Sequence, residues 1–190
     1  TASDVPILFH SRSIGLNGAQ QVPLQVGGRL TGREGRYSFG GVNIQSKEVA
    51  ATGTPSTNFS VMRAKRDILN RSSIGVLATN RSVSRTGEGR NTVVGTDATF
   101  AFYTNLAINA YWATSVSESL TTRGVTGDDQ SYRGQLDYNA DRFGLQAEYA
   151  AVGANFNPEM GFTRRIDMRK TYVQGRFSPR PKVRGAVRKY

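Results

Sequence analysis

One histidine and no cysteine bound the chemistry open to this 190-residue chain. His10 stands beside Ser11. That pair would suit nucleophilic catalysis only if a third group oriented the imidazole. A lone histidine supplies no such constellation, and its ordinary role is structural. Without cysteine there are no disulfides or thiolate ligands, and a single imidazole makes a poor transition-metal set. Asp128-Asp129 lies in a glycine-containing loop, but its spacing is unlike a calcium loop, and it reads as a solvated external loop. Gly87-Glu88-Gly89 is too short for a phosphate-binding fingerprint and lacks the Gly-Lys-Ser/Thr ending. Carboxylates paired for glycoside hydrolysis are defined by separation in space, which sequence does not give. The expectation is a non-enzyme with no catalytic residue, metal or cofactor.

The elements that would position any site are announced by the turns. Short polar breaks fall at Gly32-Arg33-Glu34-Gly35, Leu69-Asn70-Arg71, Thr104-Asn105, Asn139-Ala140-Asp141 and Pro179-Arg180-Pro181. Long breaks at 47–57, 84–91, 118–130 and 153–169 alternate with them, leaving about ten strand-like segments. Tight turns at one end and long loops at the other predict an all-β, antiparallel, up-and-down transmembrane β-barrel. The barrel is expected as a fragment of about ten strands from a larger one. Residues 1–23 are expected as an extended segment leading into it, and 24–190 as its strands and loops. The first six residues carry neither a basic n-region nor an apolar h-region, so no signal peptide is read, and the chain reads as an excerpt or mature segment.

Composition fits this class. The chain is 37% hydrophobic, low for a globular core of its size, and no run approaches the ~18 apolar residues of a membrane helix. Barrel strands escape such a scan because only alternate residues face lipid. Leu106, Ile108, Ala110 and Trp112 alternate with Ala107, Asn109 and Tyr111. Val94, Ala98, Phe100 and Phe102 oppose Gly95, Asp97, Thr99 and Tyr103, and the ionised Asp97 assigns that second set to the lumen. Tyr132, Gly134, Leu136 and Tyr138 alternate with Arg133, Gln135, Asp137 and Asn139. Phe143, Leu145, Ala147, Tyr149 and Ala151 alternate with Gln146, Glu148 and Ala150.

Earlier segments are less regular. Ile74, Val76 and Ala78 form an outer face, whereas Phe59 and Val61 share parity with Arg63 and Lys65. That combination predicts a lipid face at Phe59 and Val61 that stops short of the two cations. Gly40-Gly41 predicts a bulge or close backbone approach. Residues 171–177 and 182–190 are expected to form a last hairpin. Tyr37, Phe59, Tyr103, Trp112, Tyr132, Tyr138, Phe143 and Tyr172 are expected in an interfacial girdle.

The formal charge of +11 calls for an anionic partner or for cations solvated at rims and in a lumen. Inward candidates are Asp97, Arg133, Asp137 and Glu148, whose opposite charges would form ladders. Residues 155–162 combine turn formers with Phe156, Met160 and Phe162, so the loop should pack on the barrel mouth or fold inward. Arg164, Arg165, Asp167 and Arg169 follow, as mouth residues or a loop-stabilising set of ion pairs.

A series of segments resembles one family. They are Leu8-Phe9-His10-Ser11-Arg12-Ser13-Ile14-Gly15, Gly28-Arg29-Leu30-Thr31-Gly32, the run from Ser60-Val61-Met62-Arg63 to Asp67-Ile68-Leu69, Ser72-Ser73-Ile74-Gly75, Thr79-Asn80-Arg81, Asn155-Phe156-Asn157-Pro158-Glu159-Met160-Gly161-Phe162, and Arg164-Arg165. Their order and spacing resemble the β-barrel domain of unknown function of large bacterial outer-membrane proteins, usually C-terminal to a family-9-like carbohydrate-binding module. Ser13 departs from the family's second arginine, and family members are several times longer. The resemblance implies a bacterial outer-membrane location and a pore, transporter or anchor linked to carbohydrate binding or uptake. It supplies no reaction and no catalytic residue. The partners expected are outer-membrane lipid and a carbohydrate solute, which the resemblance implies, and lipopolysaccharide phosphates, an anionic solute or nucleic acid, which the +11 charge suggests. One rival is a soluble basic all-β nucleic-acid-binding protein, although no RNA-binding signature is present and the arginines are scattered. A secreted hydrolase is the other.

Overall fold

The computed structural model describes residues 4–17, 20–85 and 88–179. It is all-β. A two-stranded hairpin, β1 (Leu16–Asn17) with β2 (Gln20–Gln21), precedes the main sheet. The main sheet holds β3 (Leu24–Glu34), β4 (Tyr37–Ser46), β5 (Asn58–Leu69), β6 (Ser72–Arg81), β7 (Asn91–Phe102), β8 (Leu106–Ser117), β9 (Gln130–Asn139), β10 (Phe143–Val152) and β11 (Met168–Phe177). Every strand pairs antiparallel with its sequence neighbour, so the spatial order is the chain order. The sheet is not closed: β3 and β11 are its two edges.

The turn rhythm is where the sequence placed it, save that the short break at 179–181 lies almost wholly outside the described residues. Short links join β3 to β4, β5 to β6, β7 to β8 and β9 to β10; loops 47–57, 82–90, 118–129 and 153–167 lie at the opposite end. Gly35 takes φ +55 in the first tight turn, a backbone state that favours glycine. The loop after β8 contains a short helix, α1 (Glu118–Thr122), which the pattern did not announce. Of the expected last hairpin, 171–177 falls within β11, and 182–190 lies outside the described residues.

Register assigns the two faces. Met62, Ala78, Val94, Thr114 and Gln130 fall on one row, and Ala64, Val76, Thr96, Trp112, Tyr132 and Ala151 on the next. This face is apolar and open: Leu30 is 79% exposed, Met62 70% and Val76 55%. The opposite face carries Arg63, Asp97, Tyr111, Arg133, Gln135 and Glu148. Residues 4–15 and the loop after β10 lie over its long-loop half.

Three expectations are corrected. Phe59 and Val61 sit on the polar face, buried beneath Met160, Phe9 and Ile14; the apolar face of β5 is Met62 and Ala64 instead. Strand parity read them together with Arg63 correctly but assigned the face wrongly, because a covering loop removes apolar residues from water just as lipid would. Phe59 therefore leaves the expected girdle, as does Tyr172, which pairs with Glu148 in register and shares its face. Gly40-Gly41 runs through unbroken pairing, and the irregularities fall at Leu24/Val26 and Asp67/Leu69.

Candidate functional site

The covered face holds the concentrated chemistry. Arg63 on β5 reaches across Gly75 on β6 to grip Asp97 on β7 with both terminal guanidinium nitrogens, one bond being 2.8 Å. A Cβ on Gly75 would lie 2.6 Å from that guanidinium, so the missing side chain is what lets the arginine lie flat. Farther along the sheet Arg133 meets Glu148 at 2.6 Å and also donates to Gln135, while Gln135 donates to Asp137 at 2.7 Å. Lys170 on β11 joins Glu148 at 3.6 Å and Asp4 of the N-terminal segment at 3.4 Å. Asp97, Arg133, Asp137 and Glu148 thus share one face, as their parity requires. Arg133, Asp137 and Glu148 belong to one bonded network; Asp97 belongs to a separate pair.

The loop after β10 folds onto this face. Phe156 packs with Ala113, Val152, Leu8, Tyr111 and Met168, and Met160 packs with Phe59 and Val61; both side chains are at most 2% exposed. Phe162, expected to be buried, is 54% exposed, and its backbone instead pairs with Ile7 through two 2.8 Å hydrogen bonds. Gly161 makes that crossing possible, since a Cβ there would lie 1.9 Å from the Ile7 carbonyl oxygen.

Glu159 anchors the loop and was not singled out from the sequence. It is 3% exposed. Its carboxylate accepts from Ser84 Oγ at 2.5 Å and from the Arg85 backbone N–H at 2.8 Å, and Arg81 Nε lies 3.8 Å away. Asn91 braces it on both sides, accepting from the Glu159 N–H and donating to the Asn157 carbonyl. The Asn-Pro-Glu run was visible, but the partners lie some 75 residues earlier and only the fold brings them in.

The four residues after the loop divide. Asp167 and Arg169 line a hollow of 330 Å³ with Asp128, Asp129 and Tyr132, whereas Arg164 and Arg165 project into solvent. Among the described residues no ion pair joins any of the four, so the reading as a loop-stabilising set of ion pairs does not describe them. Nor does any group of three or more His, Asp or Glu converge as a metal site among the described residues. His10 is exposed, and its backbone N–H donates to the Met160 carbonyl at 2.8 Å.

A polar collar ends the apolar face at its long-loop edge. Asn43 donates to Asn58 and Ser60, Gln45 to Ser56, Asn80 to Thr92, and Trp112 Nε1 to Gln130. Aromatic side chains mark the short-turn edge: Tyr37 stacks on Phe39, Phe100 on Phe102, and Phe143 meets Phe177 at 5.2 Å. Within the face, the Thr96 hydroxyl donates to the Gly75 carbonyl.

No known protein family, no curated protein and no solved structure matches this chain.

Proposed function

We propose that this sheet is a section of the wall of a bacterial outer-membrane β-barrel, serving passage or anchoring. The observation that carries the reading is the open apolar face spread over β3 to β11, backed by an ion-paired polar face. A soluble sheet would turn the apolar rows toward a core. Here the covering segments pack on apolar residues at the long-loop half of the ion-paired face, such as Phe59, Val61, Ala113 and Val152, and the apolar rows of the other face lie open. From Val94 to Phe102 the apolar stretch runs about 26 Å at ~3.3 Å per residue. At ~40° tilt it covers about 20 Å of membrane, which the flanking collar and aromatic rim extend toward the ~25 Å of such bands. No helix among the described residues is long and apolar enough to cross a membrane.

The edges support a larger barrel. With nine strands alternating in direction, β3 and β11 run the same way. Pairing them directly would place one parallel contact in an otherwise antiparallel wall. All-antiparallel closure needs an odd number of further strands between them, giving the even total of single-chain bacterial barrels. The resemblance to the domain of unknown function points the same way, and a carbohydrate or anionic solute remains the proposed cargo or ligand.

Cysteine substitution along β8 of the full-length protein in bacterial cells tests this. Position 109 should react with a water-soluble thiol reagent, and 108 and 110 with a lipid-phase one; 111 lies under the loop after β10 and is not used. If 108 and 110 resist both, they lie in a soluble core, and binding of nucleic acid becomes the reading to examine.

A further inference from the structure

A cavity of 760 Å³ lies between the N-terminal segment and the covered faces of β3 to β7. That volume falls within the ~300–1,000 Å³ of small-molecule sites. Its roof is Leu8, Phe9 and Ile14, and its floor is Val42, Val61 and Leu77. Two cations stand in the wall. Arg63 is neutralised by Asp97. Arg29, on the edge strand β3, is exposed and has no ion pair among the described residues. Gly40, between them on the floor, has no atom within 4 Å of where a Cβ would stand, so the space is open down to the backbone.

We infer that this cavity binds an amphipathic anion: an unbranched apolar body under the N-terminal segment, with its charged head at Arg29. The chemistry follows from the division of the walls. An apolar body displaces water from Leu8, Phe9, Val61 and Leu77, as burial of apolar surface favours. Arg29 offers a planar donor fork suited to a carboxylate or phosphate. Asp97 does not repel the head, because Arg63 already holds it. This inference rests on the proposed reading that the covered face is a lumen.

The test is a long-chain carboxylate bearing a photoreactive diazirine, added to the full chain in lipid vesicles, with adducts located by peptide mass spectrometry. Adducts are expected on Leu8, Phe9 and Leu77, lost on competition with palmitate but retained with methyl palmitate. Arg29→Glu should lower them roughly tenfold. Gly40→Leu, whose Cβ meets no atom within 4 Å and whose branch enters the cavity, should lower them severalfold while retaining the β-sheet circular dichroism of the parent. Adducts confined to Met62, Val76 and Val94 would overturn the site while supporting lipid contact at the apolar face. Cavity adducts with none at Met62 and Val76 would uphold the site and overturn the membrane reading. Equal competition by the methyl ester would overturn the role given to Arg29.

Discussion

Replacing Glu159 with Gln removes the charge that pins the loop after β10 to the covered face. The carboxylate holds Ser84 Oγ and the Arg85 N–H and faces the buried Arg81. A glutamine retains one acceptor, so one of the two donors meets an amide N–H₂ instead. Removing one member of a buried charge pair costs about 3–5 kcal/mol, and a hydrogen bond to a charged group contributes about 1.5–3. Taking about 3 kcal/mol, the loop should open roughly a hundredfold more often, since ~1.4 kcal/mol is a factor of ten. Hydrogen exchange reads this directly, because the amides of Asn157, Glu159, Gly161 and Phe162 are all bonded in the docked loop. The His10 amide, bonded to Met160, should loosen with them. Arg81→Met should act more weakly, roughly tenfold, because Arg81 lies at 3.8 Å and donates its firmer bond to the Val83 carbonyl. Exchange changed by less than about twofold in E159Q would refute the reasoning, since a buried charge-assisted anchor cannot be that cheap to lose.

Other expectations separate the two faces. Met62→Arg on the apolar face should cost ~2–4 kcal/mol and reduce membrane assembly, whereas Thr99→Arg on the polar face should be tolerated; heat-resistant folded band intensity compares them. Gly161→Ala forces a Cβ to 1.9 Å from the Ile7 carbonyl oxygen, so limited proteolysis within 4–15 should accelerate while the sheet persists. Gly75→Val displaces the Arg63 guanidinium from its seat, and a double-mutant cycle with Asp97→Asn should show that the pair's coupling has vanished. That coupling should be small in the parent, about 0.5–1 kcal/mol, because both side chains are about one-third exposed.

Strand positions and the end at which each loop lies were readable because period-2 alternation and turn residues are local signals. The faces of β7, β8, β9 and β10 were readable for the same reason: Asp97, Asp137 and Glu148 cannot share a side with Phe100, Leu136 and Leu145. The face of β5 was not. Phe59 and Val61 look lipid-facing until residues 4–15 and Met160 are seen to cover them. The partners in the charged site were also hidden. Arg63 and Asp97 are separated by 34 positions and a whole intervening strand, and Glu159 meets Ser84 and Arg85 from a different loop. Such pairings depend on register and loop docking, which have no period in the sequence. The roles of Gly75 and Gly161 had no local signal either: one admits the Arg63 guanidinium and the other a crossing chain.

The measurement that bears most directly on the central proposal is a spin-label scan through positions 92 to 102 of β7 in reconstituted bilayers. Collision with oxygen and with a water-soluble nickel chelate is recorded at each position. The account predicts a period of two, with oxygen contact high at 94, 96, 98 and 100 and chelate contact favoured at 97 and 99; position 95 is left out because a side chain there meets Leu8. The oxygen-favouring positions should be deepest near 96 and 98 and shallower toward 92 and 102. Even positions shielded from oxygen and chelate alike, or as open to the chelate as the odd ones, would contradict a lipid-facing wall.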